Sequence, residues 1–320
     1  MIEVAEVGPE RAGDVVSVIH AGFGAREVLD PPSTATEETV QTVAAALTAH
    51  GGLLATADAV PVGALLFEPQ GQLLGLRRVS VDPDEQGRGV ARALVRRAER
   101  VAEERGFEGV LLTARAELPR TVRFWQHLGY AETGREGSLL TLARVLPVRV
   151  EAATAEQAQE LGRRLAVVLR AGDLVILSGD LGAGKTTFTQ GLGGGLDVRG
   201  SVTSPTFVIS RVHPSLVGGP ALVHVDAYRL GGIEELDDLD LDTSLEDAVT
   251  VVEWGEGVAE GLADTRLEVR ITRARADDTA PVPDGPGPEG DGEEPRDPRT
   301  FTFVPVGSRW IGSGLRSALD

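Results

Sequence analysis

The chain has 320 residues, 42% of them hydrophobic, with no cysteine and a formal net charge of −18. That length predicts two globular domains, and the lack of cysteine excludes disulfides and thiolate metal sites. Residues 1–146 carry 20 acids against 15 arginines, and residues 147–320 carry 29 acids against 16 basic residues. Such surfaces repel phosphate backbones, so any nucleic acid served by this chain is expected to be held by a partner.

The N-terminus, MIEVAEVGPER, has acids and no apolar h-region, so it does not read as a secretory leader. No apolar run approaches the ~20 residues of a bilayer span. A cytoplasmic chain with no membrane partner is therefore expected. Helical patterns follow at 10–20 and 36–49. Strand patterns follow at 52–57 and 61–67, joined by a turn at Asp58–Pro61, and at 73–81. A helix is predicted over 89–105, with apolar residues at 90, 94, 98 and 101, others beside them, and arginines on the opposite face. A strand at 109–114, a helix at 119–128 and a strand at 137–145 complete this half. Strand 73–81 leads into Gln86-Gly87-Arg88-Gly89-Val90-Ala91, which fits Q/R-x-x-G-x-G/A and opens the 89–105 helix. Backbone N–H groups at such a helix start suit a pyrophosphate. Arginines 88, 92, 96 and 97 either draw phosphates or form a solvated face.

This loop, with Phe124-Trp125-Gln126-His127-Leu128-Gly129-Tyr130 downstream, resembles the GNAT acetyltransferases over residues 2–145. The resemblance implies a mixed α/β sheet and acetyl-CoA bound with its pyrophosphate on Gln86, Gly87, Arg88, Gly89, Val90 and Ala91. The pantetheine would run beside the backbone of Val79 and Val81. It implies acetyl transfer to an amine, and the sequence does not identify that acceptor. The pattern departs from the family at Trp125, where many members carry a tyrosine proton donor; an indole cannot serve as that acid. The stretch Leu118-Pro119-Arg120 lacks the asparagine often found there, and Tyr130 is displaced from the donor position. Glu68 and Asp82 are candidate bases, each better explained as a surface acid. Binding of CoA is thus better supported than turnover, and a non-catalytic CoA-binding or docking module is the alternative.

A turn-rich junction near Leu146–Pro147 divides a domain 1–146 from a domain 147–320. After the strand pattern VRVEA come a helix at 155–170, a strand at 174–178 and a helix from Lys185 to about Leu196. Strands follow at 221–226, 248–253 and 266–272. Residues 274–299, rich in proline, glycine and acid, are expected to be a disordered insertion, followed by a strand FTFVPV and a short helix around Trp310. The alternation argues a mainly parallel sheet covered by helices. The histidines at 20, 50, 127, 213 and 224 have no ligand spacing, so a zinc site is not expected.

Lys185 is the only lysine of the chain. It closes Gly179-Asp180-Leu181-Gly182-Ala183-Gly184-Lys185-Thr186, a complete G-x-x-x-x-G-K-[ST] between an apolar strand and a helix. Glycines let the backbone wrap phosphates with N–H groups pointing inward. A slim ammonium fits between β- and γ-phosphates where a planar guanidinium does not. Gly182, Ala183, Gly184, Lys185, Thr186 and Thr187 are the expected ATP contacts. Asp226 and Glu253 each end an apolar strand, the end at which open α/β sheets bind ligands.

Four ordered motifs then resemble the TsaE family of tRNA threonylcarbamoyladenosine ATPases over about 148–272. They are GDLGAGKTTF; Ser204-Pro205-Thr206-Phe207; His224-Val225-Asp226-Ala227-Tyr228-Arg229; and Glu253-Trp254. The resemblance implies a P-loop fold that hydrolyses ATP for modification of adenosine 37 in tRNA. The transfer itself would be made by a TsaD–TsaB complex, through which alone the tRNA is met. It places Mg²⁺ on Thr186, Asp226 and Glu253, gives Lys185, Asp226 and Glu253 the catalytic roles, and puts Thr206 on a switch that senses the γ-phosphate. The roles of His224, Tyr228 and Arg229 stay open, and Trp254 reads as core packing, with a cover over the nucleotide or the partner surface as the alternative. A P-loop small-molecule kinase is the alternative, against which the chain shows no arginine-rich lid.

Overall fold

The computed structural model describes residues 1–26, 29–205, 208–229, 246–273 and 298–320. The chain divides into two compact units, Met1–Leu146 and Pro147–Asp320.

The first unit runs β1 (Ile2–Val7), α1 (Ala12–Gly24), α2 (Val40–His50), β2 (Gly52–Ala57), β3 (Val60–Gln70), β4 (Leu73–Val81), α3 (Val90–Glu104), β5 (Gly109–Arg115), α4 (Pro119–His127), β6 (Ala131–Glu136) and β7 (Leu139–Val145). Its strands form one sheet in the order β1-β2-β3-β4-β5-β7-β6. Successive strand residues face opposite sides, and the core divides accordingly. Leu53, Leu65 and Phe67 pack with Leu94, Val101 and Trp125 of α3 and α4. Their neighbours Leu54, Ala64 and Leu66 pack with Val15, Ile19, Val43 and Leu47 of α1 and α2. The Asp58–Ala59 turn between β2 and β3 has φ of 49° and 67°, the left-handed pair that a tight hairpin requires. Helix α2 starts later than its pattern suggests because Thr39 and Thr42 form a reciprocal capping box, while Thr34–Glu37 form a 3-10 turn. The sequence reading misses β1 and β6. Both are edge strands: β6 (AETGRE) buries almost nothing, and β1 (IEVAEV) alternates only over Ile2–Ala5, with no residue fully buried.

Among the described residues of this unit only β4 and β5 pair in parallel, over Leu73–Leu76 against Gly109–Leu112. Beyond that point β4 bulges against β3, with Arg78 at φ 54°. The second half of β4 therefore runs without β5 beside it, which leaves the segment that contains Val79 and Val81 free of a ladder on that side.

The second unit runs β8 (Val148–Ala152), α5 (Ala155–Ala166), β9 (Leu174–Ser178), α6 (Lys185–Gly195), β10 (Ser210–His213), β11 (Ala221–Asp226), β12 (Ala248–Glu253), β13 (Arg266–Arg273), β14 (Arg299–Val306) and α7 (Leu315–Leu319). The sheet order is β10-β11-β12-β9-β13-β14-β8. The parallel part is its centre: β11 with β12, β12 with β9, and β9 with β13. β10, β14 and β8 add antiparallel edges. The central strands are nearly continuous apolar runs, as burial on both faces requires. The four-residue edge strand β10 is too short and exposed to be read from sequence. Residues 274–297 of the expected insertion lie outside the described residues. Its final residue, Arg299, instead opens β14 opposite Arg273.

Helix α6 is seated by its glycines. A Cβ on Gly191 would overlap the Gln159 carbonyl oxygen, and one on Gly162 would overlap that of Phe188. Helices α5 and α6 thus meet backbone to backbone. Phe188 packs on Phe301 and Phe303 of β14, with ring centroids 5.5 and 6.0 Å away. This fixes the start of α6, and with it the preceding loop, above the end of β9.

Candidate functional site

The loop between β9 and α6 takes a shape that side chains resist. Gly182 and Gly184 have φ of 74° and 106°, and Gly184 is the N-cap of α6. Lys185 is the first helical residue and is nearly buried, at 5% exposure. Its Nζ donates to the carbonyls of Gly179 (2.8 Å) and Asp180 (3.1 Å) and lies 3.5 Å from the centroid of the Trp254 ring. Burial lowers its pKa, while the charges of Glu253, Asp226 and Asp180 oppose that shift. An ammonium with three donors, held on loop carbonyls and an aromatic face, is free to exchange those partners for phosphate oxygens.

The two strand-end acids stand side by side, because Asp226 and Glu253 are register partners on β11 and β12. Both are buried. Thr186 Oγ1 donates to Glu253 Oε2 at 3.1 Å, which ties the loop to β12. Glu253 Oε1 is 2.8 Å from His224 Nε2. Asp226 accepts from Ser204 Oγ at 2.9 Å and from the Tyr228 backbone N–H at 3.1 Å. His224 is fully buried, so its place in the HxDxYR motif is to hold the carboxylate of the next strand. The sequence named His224 without a role, because its contact is across strands. Trp254 is not core packing. It adopts φ 62°, is half-buried, and lies between Lys185 and the exposed Tyr228, whose ring centroid is 5.1 Å away. Arg229 is exposed. Thr206 lies outside the described residues.

In the first unit, Gly87 and Gly89 have φ of 78° and 87°, with nothing within 4 Å of a Cβ built on either. This open turn leads directly into α3. Val90 is buried in the core, so only its backbone can face a ligand. Arg88 is paired with Glu85 at 3.0 Å, and Arg97 with Glu6 and Glu104, whereas Arg92 and Arg96 are exposed. Gln86 is exposed and Ala91 is partly buried beside them. The carbonyl of Val79 accepts from Arg26 Nη2 at 3.2 Å, a contact not anticipated from sequence. Neither candidate base stands apart from structural duties. Glu68 pairs with Arg77 at 3.0 Å, and Asp82 caps the turn at Asp84. Trp125 is buried edge-on to Phe124 and Tyr130. The Tyr130 hydroxyl donates to Glu99 at 3.2 Å. Burial and the Glu99 charge push its pKa well up, and its hydroxyl is committed to Glu99 within the core.

A glycine-wrapped loop, a buried lysine and two strand-end acids on a parallel sheet define a P-loop nucleotide-binding domain, preceded here by a splayed mixed sheet of acetyltransferase type. Residues 152–280 match the family model described as threonylcarbamoyl adenosine biosynthesis protein TsaE, and residues 25–130 match the acetyltransferase (GNAT) family. The chain is 72% identical over 153 residues to the tRNA threonylcarbamoyladenosine biosynthesis protein TsaE of Streptomyces coelicolor, covering 48% of this chain and 93% of that protein. It is 54% identical over 131 residues to the protein of that name from Mycobacterium tuberculosis, covering 39% and 78%. The solved structure of YdiB from Bacillus subtilis is 30% identical, covers 52% of this chain and 91% of its own, and has a TM-score of 0.39. The chain belongs to the TsaE family, with a GNAT domain ahead of the TsaE region. The small-molecule kinase reading is not favoured.

Proposed function

We propose that residues 147–320 hydrolyse ATP for threonylcarbamoyladenosine formation in tRNA, acting with a TsaD–TsaB pair that holds the tRNA, and that residues 1–146 bind acetyl-CoA for transfer to an amine. The observation that carries the ATPase reading is the 3.1 Å hydrogen bond from Thr186 to Glu253, which joins the phosphate loop to an acid-bearing strand tip. The backbone N–H groups from Gly182 to Thr187 wrap the β- and γ-phosphates. Lys185 leaves its two loop carbonyls to bridge them, and His224 keeps Glu253 turned toward Thr186. Among the described residues no cluster of three or more His, Asp or Glu could hold a metal unaided. One hydroxyl and two buried carboxylates fit Mg²⁺, which takes few protein ligands and completes its shell with phosphate oxygens and water. Thr186, Asp226 and Glu253 would hold it there, and when bound it neutralises charge on the transferring phosphoryl group.

The CoA reading rests on the open second half of β4 and the turn at Gln86–Gly89. The backbone of Val79 and Val81 would pair with the pantetheine, after Arg26 leaves the Val79 carbonyl. The pyrophosphate would sit on the N–H groups of 86–91, with Arg92 and Arg96 at its edge. Among the described residues of the site none is a ready proton donor for a leaving thiolate, so turnover is expected to be slow or to use solvent.

The direct test is phosphate release from ATP by the full chain, with and without the TsaD–TsaB pair. The expected result is slow hydrolysis alone and faster hydrolysis with the pair. Transfer of labelled phosphate to a small acceptor, with none released to water, would contradict the reading.

A further inference from the structure

The reactive end of the CoA groove carries a cation that no sequence motif indicates. The turn assigned to the pyrophosphate follows Val81, so along β4 the thioester falls toward Val79, where β5 no longer pairs. Helix α1 closes against this stretch. A Cβ on Gly22 would lie 3.0 Å from the Val81 carbonyl oxygen and 3.1 Å from the Ser80 Cβ. Residues just past that contact therefore reach the splay. Arg26 follows the end of α1, and its backbone N–H donates to the Phe23 carbonyl at 3.2 Å. Its guanidinium lies 3.9 Å from the centroid of the Phe23 ring, and its Nη2 donates to the Val79 carbonyl at 3.2 Å.

The other arginines around the splay are neutralised. Arg77 pairs with Glu68 at 3.0 Å, Arg78 with Glu38 at 2.9 Å, and Arg115 with Glu117 at 2.9 Å. Arg26 as a whole residue is exposed. Its head is nevertheless withdrawn from water far enough for burial to lower its pKa, and among the described residues no carboxylate opposes that shift. A guanidinium drawn from water without a counter-charge is costly, and such groups mark places where an anion binds. Its planar fork of N–H donors matches a carboxylate, and stacking on Phe23 leaves the edge of that fork free.

We propose that Arg26 binds the carboxylate of the acetyl acceptor, and that this acceptor is a small amine of the amino-acid class. The inference rests on the acetyl-CoA reading and names the substrate class which that reading leaves open. Entry of the cofactor gives the Val79 carbonyl to the pantetheine and frees Nη2, so acetyl-CoA binds first and the acceptor second. Because Arg26 starts from a carbonyl beside the thioester, the amine and the carboxylate must lie only a few bonds apart, as in an α-amino acid. A polyamine would bring a like charge to the same place. In the transfer, the free amine nitrogen bonds to the acetyl carbon and the C–S bond breaks. The surplus proton on nitrogen passes to water, and the departing sulfur takes one from water.

The experiment uses the full chain and begins with calorimetry of acetyl-CoA. Wild type is expected to bind it, and Arg26→Ala to bind it at least as tightly, because the arginine no longer competes for the Val79 carbonyl. That binding also shows the variant to be folded. No binding by either chain removes the CoA reading and the acceptor site with it. Binding by wild type that Arg26→Ala loses assigns the arginine to the cofactor and overturns the acceptor site alone. Release of CoA thiol is then followed with the standard amino acids, each beside its carboxamide, and with tyramine and spermidine. At least one acid is expected to be acetylated with a kcat/KM about tenfold or more above that of its amide. In Arg26→Ala the two are expected to become nearly equal through a higher KM for the acid, with Arg26→Lys recovering part of the preference. Turnover confined to the amides or to the amines without an acid overturns the proposal. An acid preference that Arg26→Ala retains overturns it too, as does acetyl-CoA binding with no turnover of any acid; in each of these cases the CoA reading stands.

Discussion

At the residue scale the proposed phosphate chemistry rests on Lys185. Lys185→Ala is expected to reduce ATP hydrolysis to background with the melting curve little changed, and Lys185→Arg to stay at background. A planar head cannot replace a point charge packed between loop carbonyls and an indole. Arginine-variant hydrolysis at the wild-type rate would show that the site does not distinguish the cations. His224 supports Glu253 from the neighbouring strand. His224→Phe strands a buried carboxylate oxygen and is expected to cost about 1–3 kcal/mol of stability together with most of the hydrolysis. His224→Gln, which retains a donor, should recover part of both; equal activity of the two variants would deny the contact a role. The loop and both acids were legible because each is a local pattern, a glycine spacing or an acid that ends an apolar strand. The His224–Glu253 bond and the place of Trp254 against Lys185 were not. Each depends on which strands are neighbours, and nothing in local spacing encodes the order β11-β12-β9-β13-β14.

At the scale of elements, the helix pair α5–α6 aims the loop, and its fit is set by absent side chains. Gly191→Ala is expected to lower stability by about 1–3 kcal/mol, because its methyl meets the backbone of α5. Gly194 lies in the same helix with nothing within 4 Å of a Cβ. Gly194→Ala should instead raise stability by about 0.5–1 kcal/mol through helix propensity. Thermal melts that move in the same direction for both would contradict this packing. In the first unit, Arg115 holds the Asp30 and Pro31 carbonyls while pairing with Glu117. The Arg115 hydrogen bond is the main cause that lowers the Glu117 pKa to about 2. A lowered carboxylate pKa adds stability that is present above the ordinary carboxylate range and is lost as pH falls toward that value. Glu117→Gln should thus be less stable than wild type at neutral pH, with the gap closing between pH ~5 and ~2. A gap unchanged with pH would place the effect elsewhere. Elements with a fully buried face were readable from periodicity, whereas β1, β6 and β10, all at sheet edges, were not: β6 and β10 bury little, and the alternation of β1 spans only a few half-buried residues.

Across the whole molecule, two α/β units with unlike ligands share one chain. The residues assigned to the CoA groove come from the first unit, and those assigned to ATP come from the second. A change at Lys185 is therefore expected to leave acetyl-CoA binding untouched, as calorimetry on the Lys185→Ala chain would show. The acidic balance of both halves is consistent with the proposal that tRNA is met through a partner and not gripped by this chain. The central claim is that ATP turnover at the loop, Thr186, Asp226 and Glu253 sustains threonylcarbamoyladenosine in tRNA. Its most direct measurement is nucleoside analysis of tRNA from bacterial cells that lack their own TsaE protein and express this chain with its TsaD–TsaB pair. The full chain is expected to restore the modified adenosine and the Lys185→Ala and Glu253→Ala chains to leave it absent; restoration by either variant to the wild-type level would contradict the account.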